Sequence, residues 1–332
     1  MYNISEIRSV HLEISSRCNA ECPQCPRNFY GAMFNDGYVS RDMTLEDATA
    51  IFEENFLQQL DSILINGNFG DIVMNPHALP IIRYFRACNK DLKIFINTNG
   101  GARVAEFWKE LAELNCHIYF ALDGLEDTLH LYRRNIIQSV VMRNAQYFIE
   151  AGGQATWKMI RFKHNEHQVE QAKQLSQSMG FVDFIVVESP RTNGPVFNNN
   201  FELEYVLGTT NETNAGQILA RRIENPLDVN NVDHTVADKI ACEAKNDKSL
   251  YVTSTGEVYP CCYIGFAPRT YGHGVYLEAV NKQIRSIIQP NNAVERPLEE
   301  CIAWFDQIEK SWAQPDCQQG RLLACNDQCG CS

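Results

Sequence analysis

The stretch HLEISSRCNAECPQCPRN, residues 11–28, carries Cys18, Cys22 and Cys25 in the spacing C-x3-C-x2-C. Residues 9–14, SVHLEI, predict a short β-strand, so the three thiols fall in the loop that follows it. Three thiolates so close together can bind one metal centre, but a structural zinc site or a fully ligated cluster needs a fourth protein ligand. We therefore expect a cluster with one iron open to an outside ligand. A zinc clip and three incidental core cysteines are the alternatives.

Length and composition describe an ordinary globular chain. The 332 residues suffice for one large domain and a smaller appendage, and the 45% hydrophobic and 21% charged content is unexceptional. No run of eighteen apolar residues occurs, and the first ten residues, MYNISEIRSV, lack the apolar core of a signal peptide. We therefore expect a cytoplasmic protein with no membrane partner.

The charge of the chain argues against nucleic acid as a partner. Its net charge is −12, and no cluster of Lys and Arg forms a stripe that could bind phosphates. Binding to a polyanion would have to work against the electrostatic field of the whole protein.

The thirteen cysteines fall in two groups. Three lie within residues 18–25 and eight lie between Cys242 and Cys331, while Cys88 and Cys116 stand alone as expected core residues. Without a secretory signal, so many cysteines indicate metal or redox chemistry rather than disulfides.

Between residue 9 and about residue 189, short apolar runs alternate with amphipathic segments. The runs predict six strands, at residues 10–15, 62–66, 93–97, 117–122, 155–162 and 181–188. The segments predict helices at residues 44–59, 77–88, 102–114, 127–151 (interrupted) and 166–179. Alternating strands and helices build a parallel sheet, and six units are too few for a closed eight-stranded barrel. We predict an α/β fold with a partial, open (β/α)6 barrel, whose site lies at the carboxyl ends of the strands.

The cysteine spacing after the first strand resembles the signature of the radical S-adenosylmethionine (SAM) enzymes. In that family three cysteines hold a [4Fe–4S] cluster, and its open iron chelates SAM. Many members place an aromatic residue before the third cysteine, where this chain has Gln24. The resemblance implies a [4Fe–4S] cluster on Cys18, Cys22 and Cys25, with SAM bound to it.

The loops after the next strands are similar to segments that surround SAM in this family. Residues 67–71, GNFGD, resemble the Gly-Gly-Glu-Pro motif, with Asp71 in place of Glu and no Pro directly after it. Residues 98–100, TNG, resemble a Thr-Asn-Gly segment, and residues 121–124, ALDG, resemble Ser-x-Asp-Gly with Ala121 in place of Ser. The resemblance implies that ten residues bind the cofactor: Gly67, Asn68, Gly70, Asp71, Thr98, Asn99, Gly100, Asp123, Arg133 and Asn165. Taken singly, such residues are equally well turn and cap residues.

The cysteine-rich tail begins with the pattern C-x13-G-x4-C, from Cys242 to Cys261, and residues 250–259 predict a β-hairpin that turns at Thr255-Gly256. This pattern resembles the opening of a SPASM or twitch domain. The end of the chain, C-x7-C-x3-C-x-C from Cys317, resembles a reduced SPASM tail. We predict a radical SAM partial TIM barrel in residues 1–189, a linker or insertion in residues 190–240, and a small α+β auxiliary-cluster domain in residues 241–332.

The same resemblance implies ligand sets for one or two auxiliary [4Fe–4S] clusters. One set comprises Cys242, Cys261 and Cys329. The other comprises Cys317, Cys325 and Cys331, with Cys301 or Cys262 as candidate fourth ligands. Eight thiols suffice for two clusters, or for one cluster and spare cysteines. A zinc ribbon is the alternative, although the tail lacks the paired C-x2-C knuckles that zinc sites favour.

The resemblance implies an enzyme that cleaves SAM reductively to a 5′-deoxyadenosyl radical, which abstracts hydrogen from a peptide or protein substrate. It also implies an external electron donor. The first strand begins by about residue 9, so we expect any leader to be recognised by the barrel, the tail or a separate protein. A radical SAM enzyme acting on a small molecule and a non-enzymatic iron–sulfur or zinc regulator remain the alternatives. The sequence identifies no general base or hydrogen donor.

Overall fold

A computed structural model of the chain describes residues 1–34, 39–188, 194–208, 236–266 and 275–331. Its strands in chain order are β1 Ser9–Leu12, β2 Asn28–Phe29, β3 Ala32–Phe34, β4 Ser62–Ile65, β5 Lys93–Thr98, β6 Cys116–Ala121, β7 Gln154–Ile160, β8 Asp183–Val187, β9 Gly194–Phe197, β10 Leu203–Leu207, β11 Lys239–Ile240, β12 Ser249–Val252, β13 Val258–Tyr259 and β14 Gly330–Cys331. Eight of them form one sheet in the order β13-β12-β1-β4-β5-β6-β7-β8. The neighbours from β1 to β8 in this order pair in parallel, so the predicted six-stranded partial barrel is confirmed.

Helices connect the parallel strands. They are α1 Leu45–Ile51, α2 Glu54–Gln59, α3 Ala78–Cys88, α4 Ala105–Glu113, α5 Leu129–Tyr132, α6 Gln138–Glu150 and α7 Val169–Met179. The helix predicted over residues 44–59 is divided in two, because Phe52 leaves the helical conformation with φ −112° and ψ 78°. Its ring is fully buried and meets Phe85 edge-on at 5.5 Å. The break in the helix therefore falls at the residue whose ring packs into the core against Phe85.

The two faces of the sheet differ in burial. In β5 and β6 alternate residues are fully buried, among them Ile96, Ile118 and Phe120, and this face packs on the helices. The opposite face is half-buried and carries Phe95, Tyr119 and other side chains that line the inside of the open barrel. This alternation follows from the two-residue period of a strand. It leaves the inner face available for a ligand.

The cysteine-rich tail is joined to the barrel through the sheet. The predicted hairpin is formed by β12 and β13, and β12 pairs in parallel with β1 from Ser249 to Val252. The tail also contains α8 Glu243–Asn246, α9 Cys262–Phe266, α10 Val275–Ile287, α11 Leu298–Ile302, α12 Phe305–Ser311 and α13 Leu323–Cys329. The division at about residue 240 stays a prediction, and the hairpin beyond it belongs to the barrel sheet.

Much of the predicted linker, residues 190–240, lies outside the described residues. Its described part includes β9 and β10, which form an antiparallel pair, and β9 is buried along its length. Phe197 of β9 stacks on Phe29 of the β2–β3 hairpin, with ring centroids 6.3 Å apart. This packing gives strand structure to a stretch whose Pro and Asn content predicts a surface loop. Within the residues that the structure describes, no helix combines the length and the apolarity needed to cross a bilayer.

Candidate active site

Cys18, Cys22 and Cys25 line a cavity of about 230 Å3 at the carboxyl ends of the parallel strands. Residues from the loops after β1, β4, β5 and β6, and from the end of β7, complete its wall. The three cysteines predicted as a metal site therefore share one cavity with most of the residues predicted to bind SAM.

The sulfur of Cys18 is surrounded by N–H donors. The backbone N–H of Ala20 and the side-chain amide of Asn99 each lie 3.4 Å from this sulfur. Burial raises the pKa of the Cys18 thiol to about 12. N–H groups directed at a sulfur stabilise a thiolate ligand once a metal has displaced the proton.

Cys22 lies next to an ion pair whose carboxylate is fully buried. Nη1 of Arg133 is 3.7 Å from the Cys22 sulfur, and Nε of the same guanidinium donates to Oδ2 of Asp123 at 2.6 Å. The other carboxylate oxygen of Asp123 accepts from the backbone N–H of Ile160 at 2.6 Å. Asp123 has no exposed surface and raises the pKa of Arg133, although burial opposes that shift. Asp123 thereby holds the guanidinium of Arg133 beside the cysteine loop.

The loop after β4 is held by a buried carboxylate from β1's carboxyl end. Oε1 of Glu13 accepts from the backbone N–H groups of Phe69 and Gly70, at 2.7 and 3.1 Å. Its Oε2 accepts from the hydroxyl of Tyr251 in β12 at 3.0 Å. At Gly70 a Cβ would lie 1.8 Å from the backbone oxygen of Ser15, so only glycine fits. The loop backbone is thereby fixed against the wall of the cavity.

Asp71 ties this loop to the end of β5. Its Oδ1 accepts from the hydroxyl of Thr98 at 2.6 Å, and its Oδ2 accepts from the backbone N–H of Asn99 at 2.7 Å. Burial raises the pKa of the Asp71 carboxyl, while these hydrogen bonds oppose the shift. The side chain therefore orients the two loops, which bring Thr98 and Asn99 to the cavity.

Eight of the ten predicted cofactor residues line the cavity: Gly67, Asn68, Gly70, Asp71, Thr98, Asn99, Asp123 and Arg133. Gly100 and Asn165 are not part of its wall. The Asn165 amide donates to the backbone oxygens of Asp123 and Ile160, at 2.9 and 3.0 Å, and is fully buried. Asn165 therefore holds the backbone of two residues in the cavity wall without lining the cavity itself.

Four tail cysteines line a second, small cavity of about 20 Å3: Cys242, Cys261, Cys325 and Cys329. The short strand pair β11–β14 brings the start and the end of the tail together at this cavity. Directly beside it, the backbone N–H of Ala241 donates to the backbone oxygen of Cys329 at 2.7 Å. The Cys329 thiol donates to Cys242, which lowers the pKa of Cys242 and raises that of Cys329. Burial raises the pKa of Cys325 to about 12.

This set differs from the ligand sets expected from the sequence. Cys325, expected with Cys317 and Cys331, lies with the other three tail cysteines. Cys317 and Cys331 do not line this cavity, and Cys331 is exposed. Neither candidate fourth ligand lines it: Cys301 is buried in α11, and Cys262 presents its backbone oxygen to the Asn68 side chain at 3.0 Å.

Known proteins resemble this chain in sequence and in fold. Residues 12–176 match the family model of the Radical SAM superfamily. The chain belongs to the radical SAM superfamily. This radical SAM chain is 22% identical over 320 residues to the tungsten-containing aldehyde ferredoxin oxidoreductase cofactor-modifying protein of Pyrococcus furiosus, covering 94% of the chain and 86% of that protein.

Solved structures share the fold of this radical SAM enzyme. SuiB of Streptococcus suis, bound to the precursor peptide SuiA, superposes with a TM-score of 0.59 at 14% identity, over 96% of this chain and 70% of SuiB. The enzyme anSMEcpe with bound AdoMet superposes with a TM-score of 0.56 at 15% identity, over 98% of this chain and 86% of that protein. At such low identities the likeness shows the fold alone.

The residues at the first site fit the iron–sulfur cluster and SAM that the family implies. A tetrahedral zinc site needs its thiolates about 3.8 Å apart, as Zn–S bonds of about 2.3 Å require. Among the residues described, no three His, Cys, Asp or Glu side chains converge closely enough to hold a single metal ion. The three cysteines nevertheless share one cavity, with N–H donors directed at the sulfurs of Cys18 and Cys22. Three thiols in the wall, with no fourth cysteine among the described residues of that wall, match a cluster whose remaining iron binds SAM.

Three residues that help to build the site of this radical SAM enzyme were not identified from the sequence. Glu13 and Tyr251 fix the loop after β4, and Lys158 lines the cavity from β7. A lysine within the apolar run of residues 155–162 was the available signal for Lys158. No local pattern predicts the hydrogen bond between Glu13 and Tyr251, because the two residues lie 238 positions apart in the chain.

Proposed function

We propose that this radical SAM enzyme modifies a peptide or protein, by crosslinking, epimerisation, oxidation or backbone excision. When bound, a [4Fe–4S] cluster and SAM supply a 5′-deoxyadenosyl radical that abstracts a hydrogen atom from the substrate. The observation that carries the proposal is the cavity itself, in which the three cysteines, the loops after β4, β5 and β6, and the end of β7 meet at the barrel's carboxyl end.

The chain's own residues would then have distinct tasks. Cys18, Cys22 and Cys25 would hold the cluster, and the backbone of residues 67–70 would bind SAM, fixed in place by Glu13. Asp123, which is fully buried, would hold the guanidinium of Arg133 near the cluster and help to exclude water from that side.

A peptide substrate is supported by the fold neighbours. SuiB was crystallised with the precursor peptide SuiA, and anSMEcpe was crystallised with AdoMet and the Cp18Cys peptide. The inner face of the barrel is half-buried, and an extended peptide could pair with an open sheet edge.

A small molecule is the second candidate substrate. The relative from Pyrococcus furiosus is named as a cofactor-modifying protein, and its similarity extends over 94% of this chain. The same barrel and clusters would serve such a substrate without a peptide-binding edge.

Mass spectrometry separates these two candidates. The protein is reconstituted anaerobically, reduced, and incubated with SAM and short peptides encoded beside its gene. The reaction is run in D2O, so that an epimerised residue gains one deuterium, and we expect 5′-deoxyadenosine together with a mass change in one peptide. If 5′-deoxyadenosine forms only with a small-molecule extract, the substrate is a cofactor or metabolite. If reduced protein with intact clusters forms none at all, radical SAM chemistry itself is refuted.

We also propose one auxiliary [4Fe–4S] cluster, held by Cys242, Cys261, Cys325 and Cys329. Four thiols around one cavity support full ligation by protein, which suits electron transfer rather than substrate binding. With about four irons per cluster, the wild-type protein should hold about eight.

Iron analysis of variants tests this ligand set. Cys325→Ala should lose about four irons per chain, whereas the matched variants Cys317→Ala and Cys331→Ala should keep about eight. About twelve irons in the wild-type protein would show a second auxiliary cluster, whereas loss of about four from eight in either control would contradict the proposed ligand set.

Two partners complete the proposal. An external electron donor would reduce the first cluster, and a separate protein would present any peptide leader to the enzyme. A pull-down in which this chain alone binds a leader tightly would count against the second partner.

A further inference from the structure

The short helix α9 is joined at its start to the tail cysteine site. It begins directly after Cys261, which lines the small tail cavity. Within it, the backbone N–H of Gly265 donates to the backbone oxygen of Cys261 at 3.1 Å. The thiol of Cys261 therefore belongs to the tail site, while its carbonyl accepts a hydrogen bond from the helix. A change in the position of Cys261 is passed to α9 through these backbone atoms.

The same helix contacts the loop after β4, which lines the first cavity. Nδ2 of Asn68 donates to the backbone oxygen of Cys262 at 3.0 Å. The ring of Phe69 stacks on that of Phe266, with ring centroids 5.8 Å apart. Asn68 and Phe69 line the first cavity, whereas Cys262 and Phe266 stand outside its wall. The loop at the first cavity is thus held from the tail side by α9.

Close packing leaves α9 little room to move alone. At Gly265 a Cβ would lie 2.5 Å from the ring of Tyr251 in β12, so the helix lies directly against the sheet. The hydroxyl of Tyr251 donates to Glu13, whose other carboxylate oxygen holds two N–H groups of the loop after β4. Because protein interiors are close-packed, a displacement of α9 is transmitted to this loop rather than absorbed between them.

The tail cavity joins elements that are otherwise held by noncovalent contacts. Its four cysteines are free thiols, and they come from both ends of the tail: Cys242, Cys261, Cys325 and Cys329. Iron–sulfur bonds to all four would fix Cys261, and with it the start of α9. A loop that is already ordered loses less conformational entropy when it binds a ligand.

We propose that α9 couples the two cysteine sites through Asn68 and Phe69, so that an auxiliary cluster on Cys261 strengthens SAM binding at the first site. Asn68 acts here as a positioning residue. The inference rests on the auxiliary cluster and on the SAM-binding role of residues 67–70 proposed above. Couplings between binding sites in proteins typically change affinity by about 5–150-fold, so an effect of at least fivefold is expected.

Anaerobic equilibrium dialysis of SAM measures this coupling as a double-mutant cycle. The four reconstituted proteins are wild type, Cys325→Ala, Asn68→Ala and the double variant. Cys325→Ala should empty the tail site without changing a residue of α9 or of the first cavity, and iron analysis should show that about four irons remain. In the wild-type background Cys325→Ala should raise the Kd of SAM at least fivefold. In the Asn68→Ala background it should raise the Kd less than twofold.

Two further backgrounds separate transmission from direct contact with SAM. Asn97 lines the first cavity from β5, three strands away from β12, and Asn97→Ala is the matched control. In that background Cys325→Ala should still raise the Kd at least fivefold. Phe266→Leu removes the ring stack from outside the cavity wall, and in that background the effect of Cys325→Ala should fall below threefold.

Two results of the dialysis would overturn the proposal. One is wild-type SAM affinity in Cys325→Ala that has lost its auxiliary irons, and the other is a fivefold effect that persists in both the Asn68→Ala and Phe266→Leu backgrounds. Retention of about eight irons in Cys325→Ala would refute the proposed ligand set, and this inference with it. Failure of the proposed chemistry is distinguishable, because wild-type protein would then bind SAM and form no 5′-deoxyadenosine.

Discussion

Replacing Arg133 with Met should destabilise the protein by about 3–5 kcal/mol. The variant removes the guanidinium and leaves Asp123, which has no exposed surface, without its counter-charge. At a charge separation of about 4 Å and an effective dielectric constant of about 20, the lost Coulomb attraction is about 4 kcal/mol. The backbone N–H of Ile160 still donates to Asp123, so part of the carboxylate's solvation is retained.

Chemical denaturation of three variants measures this pair as a double-mutant cycle. Asp123→Asn alone leaves the guanidinium of Arg133, whose side chain is only 18% exposed, without its counter-charge, so it should also be costly. The combined Asp123→Asn and Arg133→Met variant removes both charges and should lose only about 1–2 kcal/mol, less than either single variant. The positive charge also lies 3.7 Å from the Cys22 sulfur. Arg133→Met should therefore alter the reduction potential of the first cluster, which voltammetry would detect.

Two results of this double-mutant cycle would contradict the prediction. If the losses of the two single variants simply add in the double variant, the charges are not coupled. A single-variant loss below about 1 kcal/mol would mean that solvent screens the pair as it screens a surface salt bridge. Either result would refute the buried-pair argument.

Three further predictions concern the loops around the cavity. Gly70→Ala should cost about 3 kcal/mol or more and weaken SAM binding at least tenfold in equilibrium dialysis, because its Cβ would lie 1.8 Å from the oxygen of Ser15; wild-type affinity would contradict this. In the metal-free protein, the pKa of Cys18 near 12 keeps it a neutral thiol, so its alkylation rate should rise about tenfold per pH unit from pH 7 to about 10; a plateau near pH 9, seen by mass spectrometry, would show an ordinary pKa. Tyr251→Phe removes the hydroxyl that donates to Glu13 and should cost about 1–3 kcal/mol in urea denaturation; an unchanged midpoint would argue against this bond.

The barrel could be predicted from the sequence because its signals are local. Each strand is a short apolar run followed by an amphipathic segment, and parallel strands place their carboxyl-terminal loops at one edge. That rule alone brings Cys18, Asp71 and Asn99 together, as the structure shows. Loops that follow strand ends are therefore the part of such a site that sequence reasoning can locate.

The remainder depends on pairings between distant residues, which no local pattern encodes. The parallel pairing of β12 with β1 joins residues about 240 positions apart. The β11–β14 pair closes the tail, where Cys325 lies with Cys242 although the resemblance to a SPASM tail implied a shared cluster with Cys317. The position of Lys158 in the cavity wall, opposite Ala121, likewise follows only from the register of two neighbouring strands.

The position of β12 beside β1 has a consequence for biosynthesis. Until residues 249–252 leave the ribosome, β1 has β4 on one side and an unpaired edge on the other. Such an edge can recruit other chains, and the hydroxyl that steadies Glu13 arrives only with that late segment. Loading of iron during translation would therefore act on an unfinished sheet, and chains that stop before residue 249 should aggregate rather than accumulate as isolated barrels.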